Sequence, residues 1–270
     1  MTDICVSKIV LYPIKSLDGI SVLEATLLPS GALAHDREFA LYNEAGRWIN
    51  GKSESRLNTI RAQYDLGNST VKLSSATTPS EHTFHLIDEQ HELERWFTEL
   101  LGTTVLLKRD TSSGFPDDSH AGGPTVISSG TLAEVSSWYS IADLEETRRR
   151  FRANIELSID CAFWEDRLFG RRDHDVCFTL GEVQMFGVGP CKRCVVPVRN
   201  SLTGEATPDF EKTFIARRTA TLPDWVNRSR FGPLFYRLAV NTRVNADEAG
   251  KRVTVGDNLH LPSPTGNVDV

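Results

Sequence analysis

The segment Gly187-Val188-Gly189-Pro190-Cys191-Lys192-Arg193-Cys194 sets two thiols three positions apart with two cations between them. Neighbouring positive charge lowers a thiol's pKa and raises its thiolate fraction near neutral pH. Such a thiolate can ligate a soft metal, attack an electrophile or close a disulfide, and two cysteines at a strand end can equally be inert. A structural zinc site needs about four ligands. His85 and His91 have a usable spacing but lie far upstream, and His35, His120 and His174 are isolated. A thioredoxin-like role fits poorly: that motif opens a helix, whereas Val195-Val196-Pro197 continues as strand and stops at proline.

Other chemistry-bearing residues are cationic. Thr147-Arg148-Arg149-Arg150-Phe151-Arg152-Ala153-Asn154 crowds four arginines into five positions. Guanidinium forks suit phosphate, although Glu145 and Glu146 also allow a solvated, self-balanced turn. Tyr12-Pro13-Ile14-Lys15-Ser16 ends a strand in a rigid turn that sets a cation beside a hydroxyl, and His35-Asp36-Arg37 opens a later strand. Phe163-Trp164-Glu165-Asp166 offers paired carboxylates, yet Arg167, Arg171 and Arg172 beside it favour a salt-bridged turn over a general acid.

The elements that must position these residues are mostly strands. With 270 residues, 40% hydrophobic and 24% charged, the composition is that of a soluble globular chain. A net charge of -6 gives no general field for nucleic acid, and five cysteines in a chain of this size do not suggest a disulfide framework. There is no apolar run of about 18 residues and no secretory leader, so no membrane partner is expected and the expected location is cytoplasmic. Residues 6–12, 37–42, 59–66, 70–74 and 83–87 read as strands, and residues 43–49 as a hairpin turned at Gly46. The spacing of Leu93, Trp96, Phe97, Leu100 and Leu101 predicts a helix over 89–101, capped by Asp88 and ended by Gly102. Residues 103–108 follow as a strand, and the polar stretch 110–118 marks a boundary near residue 118.

Beyond it, residues 125–128 read as a strand, and Thr131 with Glu134 has the spacing of a capping box opening a helix. Residues 152–158, 177–180, 183–188, 238–244 and 252–261 read as strands with little helical pattern between them, which predicts a closed or nearly closed antiparallel barrel. The expected fold is mainly β with some α (α+β), and no P-loop, dinucleotide fingerprint or internal repeat is present.

Taken in order, Leu11-Tyr12-Pro13-Ile14-Lys15-Ser16, Asp36-Arg37, Arg152-Ala153-Asn154-Ile155, Cys191-Lys192-Arg193-Cys194, Thr203-Gly204-Glu205, Phe231-Gly232-Pro233-Leu234-Phe235 and Val255-Gly256-Asp257 resemble the MOSC proteins, named after the C-terminal domain of molybdenum cofactor sulfurase. The pattern is nearest to the mitochondrial amidoxime-reducing component and its bacterial counterparts. The resemblance implies an N-terminal MOSC-associated β-barrel region over 1–118 and a MOSC β-barrel domain over 119–270. It implies a molybdenum cofactor (Mo-molybdopterin), with Cys194 as metal ligand and catalytic residue. Cofactor contacts fall on Lys15, Ser16, Arg37, Arg152 and Asn154, and on Ser128 and Thr131 as hydroxyls near a helix start. Lys192 and Arg193 would contribute backbone groups or stabilise the Cys194 thiolate. Pyridoxal phosphate is not expected.

The implied activity is a molybdenum-dependent oxidoreductase that reduces N-hydroxylated small molecules. The chain lacks the cysteines of the ferredoxin-like domain that some bacterial relatives carry, and the anchor of animal members, so the expectation is a soluble bacterial protein fed by a separate donor of ferredoxin or cytochrome b5 type with its reductase. The rival readings are sulfur transfer through a Cys194 persulfide and non-catalytic carriage of the cofactor.

Overall fold

Alternating burial along short β-branched runs builds most of the molecule. The computed structural model describes residues 4–262 except 76–79, 119, 140, 142, 171–173 and 234. The first half runs β1 (Val6–Leu11), β2 (Ile20–Val22), β3 (Glu24–Thr26), β4 (Phe39–Tyr42), β5 (Trp48–Ile49), β6 (Ile60–Asp65), β7 (Thr70–Ser75), β8 (His82–His85), α1 (Gln90–Leu101) and β9 (Leu106–Arg109). The second runs β10 (Val126–Ser128), α2 (Ser129–Trp138), α3 (Leu144–Phe151), β11 (Ile155–Leu157), β12 (Val176–Leu180), β13 (Val183–Lys192), α4 (Phe210–Ala220), β14 (Arg237–Arg243), β15 (Arg252–Thr254) and β16 (Leu259–His260).

The large sheet has the order β16-β12-β13-β14-β10-β11-β1-β2. It closes on itself: β16 pairs with β12, while the Leu259 amide donates to the Ile4 carbonyl (2.8 Å) and the Val6 amide to that of Asp257 (2.9 Å). The expected barrel is therefore present, with one departure. β10 and β11 run parallel, because α2 and α3 form the crossover between them. Strand β1, from the first half of the chain, is an integral stave between β11 and β2. Two smaller sheets, β5-β4-β9 and β6-β7-β8, pack with α1 around Ile14, Leu17, Phe39, Leu93 and Phe97.

Helix α1 buries Leu93, Trp96, Phe97 and Leu101 and ends at Gly102, as its spacing predicts. Asp88 is not its cap. Glu89 holds that position, and its carboxylate accepts instead from the His85 amide (2.6 Å). Helix α2 begins two residues ahead of Thr131, with the Ser128 hydroxyl accepting from the Thr131 amide (3.2 Å). Glu134 closes no capping box and instead accepts from Trp138 Nε1 (2.9 Å).

Helices α3 and α4 are additions to the expected pattern. α3 reads Leu-Glu-Glu-Thr-Arg-Arg-Arg-Phe and is held by an Asp143 cap and by the pairs Arg148–Glu145 (2.7 Å) and Arg150–Glu146 (2.6 Å). α4 buries Phe210, Phe214 and Arg218 on one stripe, so a charge occupies a core position and disguises the periodicity. Among the described residues no helix is long and apolar enough to cross a membrane.

Strand β13 bulges at Gly187–Gly189 and again at Pro190–Lys192, which re-aims the chain just before the paired cysteines. Gly187 is required there: a Cβ would sit 1.6 Å from the Leu168 carbonyl oxygen. β13 thus delivers Cys191 to the rim, where α3 ends and the turn after β1 begins.

Candidate functional site

These three segments, with residues 36–37, 50–52, 113, 116–118 and 121–123, enclose a cavity of about 560 Å³. Six of the eight expected contact residues line it: Lys15, Ser16, Arg37, Arg152, Asn154 and Cys194. Three of these, Ser16 (φ 75°), Arg37 (φ 53°) and Arg152 (φ 52°), are non-glycine residues in the left-handed region. Such conformations cost on the order of 1 kcal/mol or more each and collect where function over-determines them.

Each cation is held by its neighbours. The Lys15 ammonium is buried, lies 4.1 Å from the Trp48 ring centroid, donates to the Phe115 carbonyl (2.7 Å) and pairs with Asp117 (2.9 Å). Burial lowers its pKa to about 8 against the raising effect of Asp117. Arg37 and Arg152 both face the ring of Tyr12, at 5.5 and 4.1 Å. Burial pushes the Tyr12 phenol up to about 12, so it stays protonated. Arg37 pairs with Asp36. Arg152 donates to the Leu17 carbonyl, and burial lowers its pKa. Two cations gathered on one neutral ring, one of them without a carboxylate within 4 Å among the described residues, make a site for an anion.

The arginine cluster of α3 sorts itself accordingly. Arg148 bonds Glu156 with both arms of its fork (2.7 Å each). Arg149 lies 3.9 Å from Asp143, and Arg150 is neutralised by Glu146 while donating to Thr207 (3.0 Å). Of these four arginines, Arg152 alone lines the cavity without a carboxylate within 4 Å among the described residues. The Ser16 hydroxyl accepts from the Gly51 amide (3.1 Å), which leaves its own hydrogen to donate. Asn154 is largely committed: its oxygen accepts from Thr125 (3.2 Å) and its amide donates to the Val10 carbonyl (3.1 Å), so it ties β1 to β10 and β11 behind the cations.

Cys194 and Cys191 are both partly exposed in the cavity. The expected support of Cys194 by the intervening cations is not what forms. Arg193 donates to Cys191 Sγ (3.0 Å) and to the Phe151 carbonyl, and Lys192 is exposed. Among the described residues no three His, Cys, Asp or Glu side chains cluster to hold a metal. A metal here would rest on Cys194 together with ligands that its own cofactor brings.

Ser128 and Thr131 lie elsewhere and do not reach the cavity. Both are fully buried and donate to one oxygen of Glu165, at 2.7 and 2.8 Å. Glu165 is pushed up to about 7 by burial and by Asp166 beside it. Asp166 pairs with Arg218, whose guanidinium lies between Phe163 (3.8 Å) and Phe231 (4.9 Å). Of the two carboxylates, Asp166 alone is salt-bridged among the described residues, and by Arg218 from α4 rather than by a neighbouring arginine. Arg167 stacks on Trp225 (4.2 Å), and Arg171, Arg172 and Leu234 lie outside the described residues. Lys52 and Asp117 complete the cavity without any local signal in the sequence, since only the fold brings them to Lys15.

Residues 4–104 match the MOSC N-terminal beta barrel domain. The chain is 23% identical over 96% of its length to a molybdenum cofactor sulfurase of Oryza sativa subsp. japonica, and 26% identical over 70% to that of Danio rerio. It spans 36% and 27% of those two proteins. It is also 27% identical, over 74% of its length and 68% of the relative's, to mitochondrial amidoxime reducing component 2 of Rattus norvegicus. Residues 4–104 thus carry the match to the MOSC N-terminal beta barrel domain, and the chain as a whole is similar to molybdenum cofactor sulfurase and to mitochondrial amidoxime reducing component.

Proposed function

We propose that the cavity binds a molybdenum cofactor with Cys194 as its protein ligand, and that the chain reduces N-hydroxylated small molecules using electrons from a separate donor protein. The observation that carries this reading is the meeting of Cys194 with Lys15, Ser16, Arg37 and Arg152, drawn from four separate segments, in one cavity. A partly exposed thiol beside a strained, cation-rich wall fits a soft metal joined to an anionic organic ligand. When bound, that group supplies a two-electron redox centre. Lys15, Arg37, Arg152 and the Ser16 hydroxyl hold its anionic end, Asn154 fixes the strands behind them, and Cys194 sets the metal's position. Reduction of an N-hydroxyl to N–H consumes two electrons and two protons and releases water. In this reading residues 1–118 and 119–270 act as the N-terminal barrel region and the MOSC domain, with the donor of ferredoxin or cytochrome b5 type.

Sulfur transfer through a Cys194 persulfide is the second reading. It is favoured by the two cysteines sharing the cavity and by the sulfurase relatives. Molybdenum per chain, measured by elemental mass spectrometry on protein from a cofactor-competent host, separates the two. We expect near-stoichiometric metal, lost in Cys194→Ser and kept in Cys191→Ser, and turnover of an N-hydroxylated substrate with a chemical reductant. Metal absent from the wild-type protein moves sulfur transfer to first place, and equal loss in both variants indicates a paired thiol mechanism.

A further inference from the structure

The cavity's cations are not all free. Asp117 places one carboxylate oxygen 2.9 Å from Lys15 Nζ and 3.5 Å from Lys52 Nζ, where an anionic ligand of this wall would lie. The two sides of this contact differ in their surroundings: the Lys15 side chain is 7% exposed and that of Asp117 is 61% exposed. Lys15 therefore cannot leave, whereas the carboxylate can swing out to water by rotating its own side chain.

The segment carrying Asp117 is built to hold it there. Asp110 accepts from the amides of Ser112 (2.8 Å) and Ser113 (3.1 Å), making a closed turn. Gly114 has φ +60°, and a Cβ on it would sit 2.6 Å from the Asp36 carbonyl oxygen, so only glycine lets this turn lie against the Arg37 segment. The Phe115 amide donates to the Arg37 carbonyl (2.9 Å), and the Phe115 ring packs 6.0 Å from both Tyr42 and Trp48. The chain is anchored two residues before Asp117, and the acid projects from that anchor onto Lys15.

We propose that Asp117 is a specificity-determining residue: its carboxylate is a resident anion that an incoming ligand must displace, so the site admits phosphate dianions and turns away carboxylates. The inference rests on the cavity taking a phosphate-bearing ligand, as proposed above. A carboxylate ligand brings one negative charge and can only replace the ion pairs that Asp117 already makes. A phosphate monoester is close to doubly charged above about pH 6 and carries three acceptor oxygens, so it engages Lys15, Lys52 and the Arg152 side together. The ion pairs with Lys15 and Lys52, with the nearby charge of Arg37, outweigh burial and keep the Asp117 carboxyl near a pKa of about 2, so it competes as an anion at any physiological pH.

The test uses a matched pair of probes, phenyl phosphate and benzoate, titrated calorimetrically into the full chain made in a host lacking molybdenum cofactor. A pH of about 6.5 keeps Lys15 charged, because removing Asp117 lowers its pKa further. Wild type should bind phenyl phosphate and not benzoate. Asp117→Asn should bind phenyl phosphate about fivefold tighter, the size of a lost competing pair, and should gain benzoate binding. Unchanged affinities in Asp117→Asn, with phenyl phosphate weakened by Lys15→Ala, would overturn the role of Asp117 and leave the cavity reading standing. Failure of phenyl phosphate to bind wild type, or its indifference to Lys15→Ala, would remove the cavity reading and this inference with it. Thermal melts of both variants show that the chain is folded.

Discussion

The cavity and the buried cluster beneath α2 use nearly the same ingredients to opposite ends. Each gathers arginine, carboxylate and hydroxyl groups from distant segments. In the buried cluster, Ser128 and Thr131 both donate to Glu165, and Asp166 meets Arg218 between two phenylalanines. The Asp166–Arg218 pair is sealed from solvent, with Arg218 Nε and Nη1 facing the aromatic rings rather than a hydrogen-bond acceptor. In the cavity, Arg152 donates to a carbonyl and lies over an aromatic face, with no carboxylate within 4 Å among the described residues, Lys15 leans on an exposed carboxylate, and three backbones sit in the left-handed region. A buried ion pair shut away from water serves the fold, whereas cavity cations that lack a carboxylate or lean on an exposed one wait for a ligand.

The sharpest way to break this comparison is to truncate one arginine in each. Arg218→Ala leaves Asp166 as an uncompensated buried charge and opens a void between Phe163 and Phe231. We expect a loss of about 3–5 kcal/mol in unfolding free energy, read from denaturant melts. Arg152→Ala removes a charge that has no carboxylate within 4 Å among the described residues. Cofactor content should fall at least tenfold while the melt shifts little, and a large destabilisation by Arg152→Ala would erase the distinction between the two regions.

A smaller effect sharpens it through pH. Glu165 has a folded-state pKa of about 7, above its unfolded value of 4.5. Between those values the native state binds the extra proton, so the stability contributed by protonated Glu165 is full below about pH 4.5 and is lost as pH rises through about 7. Unfolding free energy should decline across that window, and Glu165→Gln should flatten the decline. A slope unchanged in the variant would assign it to another group.

How much of this was legible in the sequence differs between the two regions. Strands such as β1, β6 and β7, and helix α1, announce themselves because period-two and period-3.6 burial is written locally. α3 was hidden because its stability comes from ion pairs, and α4 because Arg218 interrupts its apolar stripe. In the cavity, Lys15, Arg37, Arg152 and Cys194 stand in distinctive short motifs. The partners of Ser128 and Thr131 do not: Glu165 lies 37 and 34 positions away, and only the crossover of α2 over the barrel makes their hydroxyls internal donors rather than ligand contacts. Lys52 and Asp117 were illegible for the same reason, since each acquires its role from a contact that the fold makes and no local pattern encodes.

Lys15 provides the finest test, because its charge is set by the balance between burial and Asp117. With a pKa near 8, the ammonium is charged below that value and neutral above it. Phenyl phosphate binding should therefore weaken severalfold as pH rises from about 7 to 9, even though the probe keeps its full charge. Lys15→Arg retains a cation throughout this range, because a guanidinium does not deprotonate there. The variant should bind somewhat less well at pH 7, since the longer planar fork does not fit the buried place of the compact ammonium, but its affinity should be flat to pH 9. A wild-type profile already flat over that range would mean that Asp117 alone keeps Lys15 charged in the free protein up to pH 9, and would move the pH sensitivity of the molecule entirely to Glu165.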